Sequence, residues 1–331
     1  MTHPISIVTG GAGFIGSHMV DLLLDHGHTV RVVDNFTGGW EKNIAHNREN
    51  PHLEVFDQDI RTLQPDSAIF RDVTYVFHFA GIGDIVPSIE NPVEYMDVNV
   101  QGTVKVLECA RHHKVKKVVY AASSSCYGLA DVPTREDAPI KTEYPYALSK
   151  YMGEMALFHW NKVYKVPVNA IRIFNCYGPR VRTTGVYGAV FGVFFKQRLA
   201  GKPFTIVGDG TQTRDFLFVR DVVKAFYLAA VTPLIGHIWN LGAGNPQSVN
   251  KLADFLGEEK VYIPKRPGEP DCTWADITKI QKDLKWVPEV SFEEGVQEML
   301  KDIDRWQDAP LWDQNSIKQA TKTWFEYLGA P

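Results

Sequence analysis

The 331-residue chain is poor in cysteine. Its four cysteines, Cys109, Cys126, Cys176 and Cys272, are scattered, and none forms a Cys-x-x-Cys pair. Neither a disulfide framework nor a zinc site is expected, and a reducing cytoplasm fits. There is no basic excess: 35 Lys and Arg stand against 39 Asp and Glu, a formal net charge of −4. A nucleic-acid partner, which calls for a basic face, is not expected. Long hydrophobic runs are missing as well. A stretch such as Phe191-Gly192-Val193-Phe194-Phe195 is far shorter than the roughly 20 residues that cross a bilayer. No basic segment followed by an apolar one opens the chain, so no signal peptide and no membrane association are expected. Internal repeats, low-complexity tracts and long linkers are also absent. What remains is an ordinary globular composition, 44% hydrophobic and 22% charged, enough for a large core and one to three domains.

Ile5-Ser6-Ile7-Val8 reads as a strand that runs into Gly10, Gly13 and Gly16. Phe14, Ile15, Met19, Leu22 and Leu23 then follow a helical period up to His26-Gly27. Strand, glycine turn and helix make an anion site. The glycines let backbone approach a pyrophosphate, and the helix start supplies free N–H groups and a positive dipole end. A second strand, Thr29 to Val33, ends in Asp34, eighteen residues after Gly16. A carboxylate there accepts bonds from ribose hydroxyls and repels a 2′-phosphate, which favours NAD over NADP. A turn Asp before Asn35 is the plain alternative. Further strands are expected at Leu53–Phe56, Val73–Phe79, Val118–Ala122 and Val168–Phe174, with a long helix from Pro92 to about Lys114. The alternation predicts a doubly wound parallel α/β sheet of Rossmann type, with ligands beyond the C-terminal strand ends. His78 reads as a structural histidine.

Tyr146-Ala147-Leu148-Ser149-Lys150 follows Pro145, a good helix entry. In a helix to about Tyr164, Tyr146 and Lys150 lie one turn apart on one face. An ammonium that close should lower the phenol towards neutral pH and make it a general base. A surface Tyr beside a surface Lys is the alternative.

Thr9-Gly10-Gly11-Ala12-Gly13-Phe14-Ile15-Gly16, Asp34, His78-Phe79-Ala80-Gly81, the Ser123-Ser124-Ser125 run ending in Tyr127-Gly128, and Tyr146-x-x-x-Lys150 together resemble the extended short-chain dehydrogenase/reductases. Within them the chain is similar to NAD-dependent nucleotide-sugar epimerases and dehydratases, over roughly residues 5–300. The resemblance implies an NAD-binding domain over 1–174 and a smaller C-terminal α/β substrate domain over 175–331, with some chain crossing back. It implies Ser123, Tyr146 and Lys150 as catalytic residues. It places the pyrophosphate on Gly10, Gly13, Phe14, Ile15 and Gly16, and the adenosine on Asp34, Asn35, Asp59 and Ile60. Phe79, Ala80, Gly81, Asn99, Tyr146 and Lys150 would complete the cofactor site.

The same resemblance assigns substrate contacts. Asn175 opens an Asn-x-Tyr-Gly-Pro-Arg run, and Thr205 shortly precedes a Gly-Asp-Gly-x-Gln-x-Arg-Asp-Phe element whose Arg is Arg214. Arg266 and Glu269 form an Arg-x-Gly-Glu clamp, and Ser88 and Thr273 border the sugar. A guanidinium fork at Arg214 suits a diphosphate; pairing to Asp209 or Asp215 is the alternative. Thr273, small for its place, implies room for an N-acetylated hexosamine. A homodimer through the helices near 92–114 and 146–164 is also implied. Beyond Pro310, Ile317, Thr321, Trp324 and Leu328 recur at helical spacing, as a docking tail would.

Three features bear on the reaction. In the family's dehydratases an Asp-Glu pair follows the catalytic Ser/Thr, and decarboxylases also keep an acid there. Ser124 and Ser125 hold those places here, and hydroxyls cannot do carboxylate work near pH 7. Cys126 lies three residues after Ser123, where 3,5-epimerases have a Cys two after; it reads as packing. The minimal Ser-Tyr-Lys set predicts 4-epimerisation of a nucleotide sugar, a UDP-hexose or UDP-N-acetylhexosamine. The alternatives are a dehydratase or oxidoreductase on a rarer sugar, or a non-catalytic NAD-binding protein.

Overall fold

The computed structural model describes residues 3–183, 190–257, 259–265 and 269–328. β1 (Ile5–Thr9) leads through the glycine turn into α1 (Phe14–Asp25). β2 (Thr29–Asp34), β3 (Leu53–Asp57) and β4 (Val73–His78) follow. Ile7, Val8, Val30, Val32, Val76 and Phe77 are fully buried, as strands covered on both faces require. The expected helix from 92 to 114 is not uniform. A short α2 (Ile85–Glu90) precedes α3 (Pro92–Met96), a π turn fills Asp97–Gln101, and α4 (Gly102–His112) continues it. The extra residue per turn swings Asn99 inward, where it is 1% exposed. β5 (Lys117–Ser123), α5 (Pro145–Tyr164) and β6 (Val168–Ile173) complete this half. Pro145 stands in the first turn of α5, where its missing N–H costs nothing.

The remaining chain does not stay apart. β7 (Asn175–Tyr177), α6 (Val190–Leu199), β8 (Phe204–Val207), β9 (Thr213–Arg214) and β10 (Phe216–Phe218) build a second body. Then α7 (Val219–Val231) and β11 (His237–Leu241) return to the first. β12 (Gln247–Ser248), α8 (Val249–Leu256) and β13 (Lys260–Ile263) rejoin the second body, followed by α9 (Thr278–Leu284), packed beside β11, and α10 (Phe292–Leu300). The main sheet has seven parallel strands in the order β3-β2-β1-β4-β5-β6-β11. Strand order reverses between β1 and β4, which opens a crevice at their C-terminal ends.

Met19, Leu23, Phe226 and Trp239 bury one face of the sheet, beneath α1 and α7. Val118, Tyr120, Leu107 and Leu157 bury the other, beneath α4 and α5. The second body has an aromatic core. Tyr177 stacks on Phe191 at 4.8 Å, Phe194 on Phe204 at 4.7 Å, and Phe195 meets Trp306 edge-on at 4.9 Å. The tail folds as α11 (Gln314–Ala320) and α12 (Lys322–Leu328). Ile317 packs with Val207 and Ile263, and Thr323 donates to Glu90 of α2 at 3.1 Å. The tail thus ties the second body to the first.

Candidate active site

Gly10 adopts φ +68°, and a β-carbon there would lie 2.8 Å from the Ala80 nitrogen. At Gly16 one would lie 2.0 Å from the Gly10 carbonyl. Only glycine lets the turn fold this tightly beneath α1. Gly13 caps α1 without any side-chain bond, and the first turn holds no acidic residue. Its N–H groups and dipole are therefore available to an anion. Phe14 and Ile15 pack their side chains against the cores, so only their backbone can serve a ligand.

Asp34 ends β2 with its carboxylate 7% exposed. Oδ2 accepts from the Ala12 N–H and Oδ1 from the Phe36 N–H, each at 2.9 Å. Burial raises its pKa, and those two donors oppose the rise. Each oxygen keeps a further lone pair for a hydroxyl. Asn35 donates to Asp59, whose carboxylate also holds Arg61 at 2.6 Å. That ion pair keeps Asp59 below the usual carboxylate range. Ile60 turns into the core beneath α4, leaving only its backbone towards the crevice.

On the far side of the turn, Thr9 accepts from the Ala80 N–H, and Phe79 packs on Phe226. His78 is 1% exposed and bonded on both nitrogens, to Thr9 at 2.7 Å and Thr103 at 2.9 Å. Burial pushes it down to about 3, the behaviour of a neutral structural histidine. Asn99 accepts from the Ile82 N–H and donates to the Ile82 carbonyl and to Ser149 Oγ. Both its amide hydrogens are thereby engaged. It fastens the 81–82 turn to α5.

Ser123, at the end of β5, and Ser125 share a hydroxyl bond of 2.7 Å. The Ser123 hydroxyl lies close enough to Tyr146, and that of Ser125 to Tyr144, to draw each phenol's pKa downward. The Tyr144 and Tyr146 rings lie parallel, 6.4 Å apart. The bonded Ser123–Ser125 pair thus lies between Tyr144 and Tyr146 at the C-terminal edge of the sheet. Lys150 is 7% exposed, with its Nζ 4.4 Å from the centre of the Tyr120 ring. The expected lowering of the Tyr146 phenol by Lys150 does not occur. Burial pushes Tyr146 above its ordinary value, and the Ser123 hydroxyl supplies the downward pull. Lys150 is itself driven by burial to about 7, so near neutrality it carries only part of its charge. Cys126 is 1% exposed and its thiol is pushed up to about 12, which suits packing.

The expected substrate residues divide. Thr273 donates to Asn175 Oδ1 at 2.5 Å, so these two meet where the bodies join. Arg214 pairs with Glu269 at 2.8 Å, and not with Asp209 or Asp215. Its guanidinium also donates to the carbonyls of Thr213 and Pro270. Glu269 lines a cavity of about 410 Å³ together with Gly208, Asp209, Gln212 and Lys265. Arg266 lies outside the described residues. Two expectations fail on geometry. Ser88 is fully buried, and its hydroxyl donates to the Ile85 carbonyl inside α2. Thr205 bonds Gln197 through both hydroxyl and N–H, within the second body.

Sequence reasoning missed a buried network behind the site. Arg172 of β6 forks onto Glu154 of α5 at 2.6 and 3.0 Å and donates to the Tyr127 hydroxyl, which reaches Asn240 of β11. Glu154, four residues past Lys150, could have drawn notice; Arg172, in mid-strand, carried no local signal.

A parallel sheet that presents an uncapped helix end and a strand-end carboxylate at its switch point is a Rossmann-type dinucleotide-binding fold. The chain belongs to the NAD dependent epimerase/dehydratase family, whose model matches residues 6–242. It is 34% identical to a UDP-glucuronate 4-epimerase of Thermodesulfobacterium geofontis over 88% of this chain and 93% of that one. A UDP-glucose 4-epimerase of Mycolicibacterium smegmatis is 36% identical over 88% of this chain and 96% of its own. A UDP-N-acetyl-alpha-D-glucosaminuronate decarboxylase of Bacillus cytotoxicus matches at 31%, over 89% and 96%. Among solved structures, the UDP-N-acetylglucosamine 4-epimerase of Methanobrevibacter ruminantium M1, in complex with UDP-N-acetylmuramic acid, superposes with a TM-score of 0.86 at 30% identity, covering 92% of this chain and 98% of that one. The UDP-glucuronic acid 4-epimerase of Bacillus cereus, with UDP-glucuronic acid and NAD, gives 0.85 at 31%, covering 91% and 99%. The cofactor is NAD, and the glycine turn, the open start of α1 and Asp34 fit its pyrophosphate and ribose.

Proposed function

We propose that this protein epimerises a nucleotide sugar at C4 through a transient 4-keto sugar. What supports the reading is Ser123 set beside Tyr146, with buried Lys150 one turn further along α5, next to serines where elimination would need acids. NAD, held at the glycine turn, the start of α1 and Asp34, would supply the hydride acceptor and donor for C4 of the sugar. Tyr146 accepts the proton of the 4-hydroxyl and gives it back. Ser123 holds the same oxygen, and the Ser125–Tyr144 hydroxyls extend the relay. Lys150 lies one turn along α5 from Tyr146, and Glu154 supports its ammonium form. The cavity at Gly208, Gln212 and Glu269 takes the nucleotide end, and Arg214, held by Glu269 beside it, serves the diphosphate. Asn175 and Thr273 border the sugar, and the short Thr273 side chain leaves room for an N-acetyl group.

The test is NMR of purified protein incubated with UDP-glucose, UDP-N-acetylglucosamine and UDP-glucuronate. Appearance of the C4 epimer without net NADH supports the reading. A 4-keto-6-deoxy product, carbon dioxide release or accumulated NADH would refute it. Turnover of the plain hexose alone would remove the N-acetyl assignment.

A further inference from the structure

Asp84 stands at the mouth of the crevice, just before α2, and is the odd residue there. It is not glycine, yet its backbone adopts φ +76° and ψ 130°. Its side chain does not cap the helix it precedes. Tyr95 fixes the turn by donating to the carbonyls of Gly83 and Asp84, and the Tyr95 ring meets Tyr146 edge-on at 6.4 Å. Asp84 is close enough to Tyr146 for its charge to push the phenol upward.

The carboxylate reaches across to Arg182, which follows β7, at 3.1 Å. Both side chains are about two-fifths exposed. An ion pair that open to solvent returns little stability, less than the strain of a non-glycine residue in this backbone region. Stability does not explain the arrangement, and its place beside Tyr146 offers a different reason.

We propose that Asp84 is a specificity residue: by occupying the Arg182 guanidinium at the sugar end of the site, it sets the enzyme against sugars that carry a carboxylate. The inference rests on the nucleotide-sugar reading above. A free guanidinium fork is a ready partner for a hexuronate carboxylate. Here such a substrate must displace Asp84 and then lie beside it as a like charge. A neutral hydroxymethyl or N-acetyl sugar meets neither obstacle.

The experiment compares the holoenzyme with D84N, D84G and D84N/R182Q. It measures kcat/KM and, by titration calorimetry, Kd for UDP-glucose and UDP-glucuronate. The wild type should favour UDP-glucose. D84N should move the ratio towards UDP-glucuronate by ~10-fold or more, since a like charge has gone. D84G, which relieves the backbone and removes the same charge, should move it equally. The added R182Q change should abolish the gain. An unchanged ratio in D84N and D84G, or a wild-type preference for UDP-glucuronate, overturns the proposal. If the wild type binds both sugars but turns over neither, the epimerase reading falls alone, and the ratio of Kd values decides the role of Asp84.

Discussion

Tyr146 and Lys150 show how burial changes what a spacing implies. Their separation in sequence suggested a simple charge effect on the phenol, but the interior disfavours both ionised forms. Replacing Tyr146 by Phe should lower kcat by roughly 10²–10⁴-fold, the usual worth of a positioned proton carrier. Turnover within threefold of wild type would remove it from the mechanism. For Lys150 the pH dependence has a definite sign. Its folded pKa, about 7, lies below the ordinary lysine value of 10.5. Between those values the unfolded chain holds a proton that the folded chain does not, so stability rises with pH across that window. Below pH 7 the cost of burying the ammonium is fully present. A Lys150→Met variant should therefore gain in urea midpoint over wild type most clearly below pH 7. That gain should shrink as pH approaches 10. A gain that grows with pH would contradict the assignment.

α5 carries both groups, and the Glu154–Arg172 pair sets its position on the sheet. Both side chains are 6% exposed. Two charges this deep are costly to separate: removing one leaves the other buried and unpaired, for about 3–5 kcal/mol. Glu154→Gln should lose that much in denaturant melts. Glu154→Leu combined with Arg172→Met should recover most of it, because a packed apolar pair avoids the desolvation cost. If the double variant is no more stable than the single one, the pair is held by more than its charges. The π turn before α4 is a second device at this scale. It aims Asn99 at the Ile82 peptide and so positions the turn that runs past Lys150.

At the scale of the molecule, two bodies meet, and chain passes between them more than once. Asn175 and Thr273, Asp84 and Arg182, and Thr323 and Glu90 each link distant segments. The outer faces of α3 and α5 expose Val93, Leu148, Met155 and Val163. We propose that a second copy covers them and makes a homodimer. Light scattering should report about twice the 37.3 kDa chain mass, falling to one chain in Val93→Glu/Met155→Glu. A wild-type monomer at micromolar concentration would count against this.

The sequence by itself determined the parallel sheet, the glycine turn and the place of Asp34 at the end of β2. Each is local: a period of burial, or a few residues within one strand-to-helix step. It also marked the ends of α1 and α5 to within a residue or two. Only the tertiary structure decided how those groups behave. Nothing near Arg172 in sequence points to Glu154, and nothing near Asp84 points to Arg182, 98 residues on. Nor do local patterns reveal that Ser88 and Thr205 face inward, or that β11 returns to the sheet. The physical reason is common to all of these. Side-chain type limits what chemistry a residue can do, but burial and partners, which depend on packing between remote segments, decide its charge, its orientation and its access to a ligand.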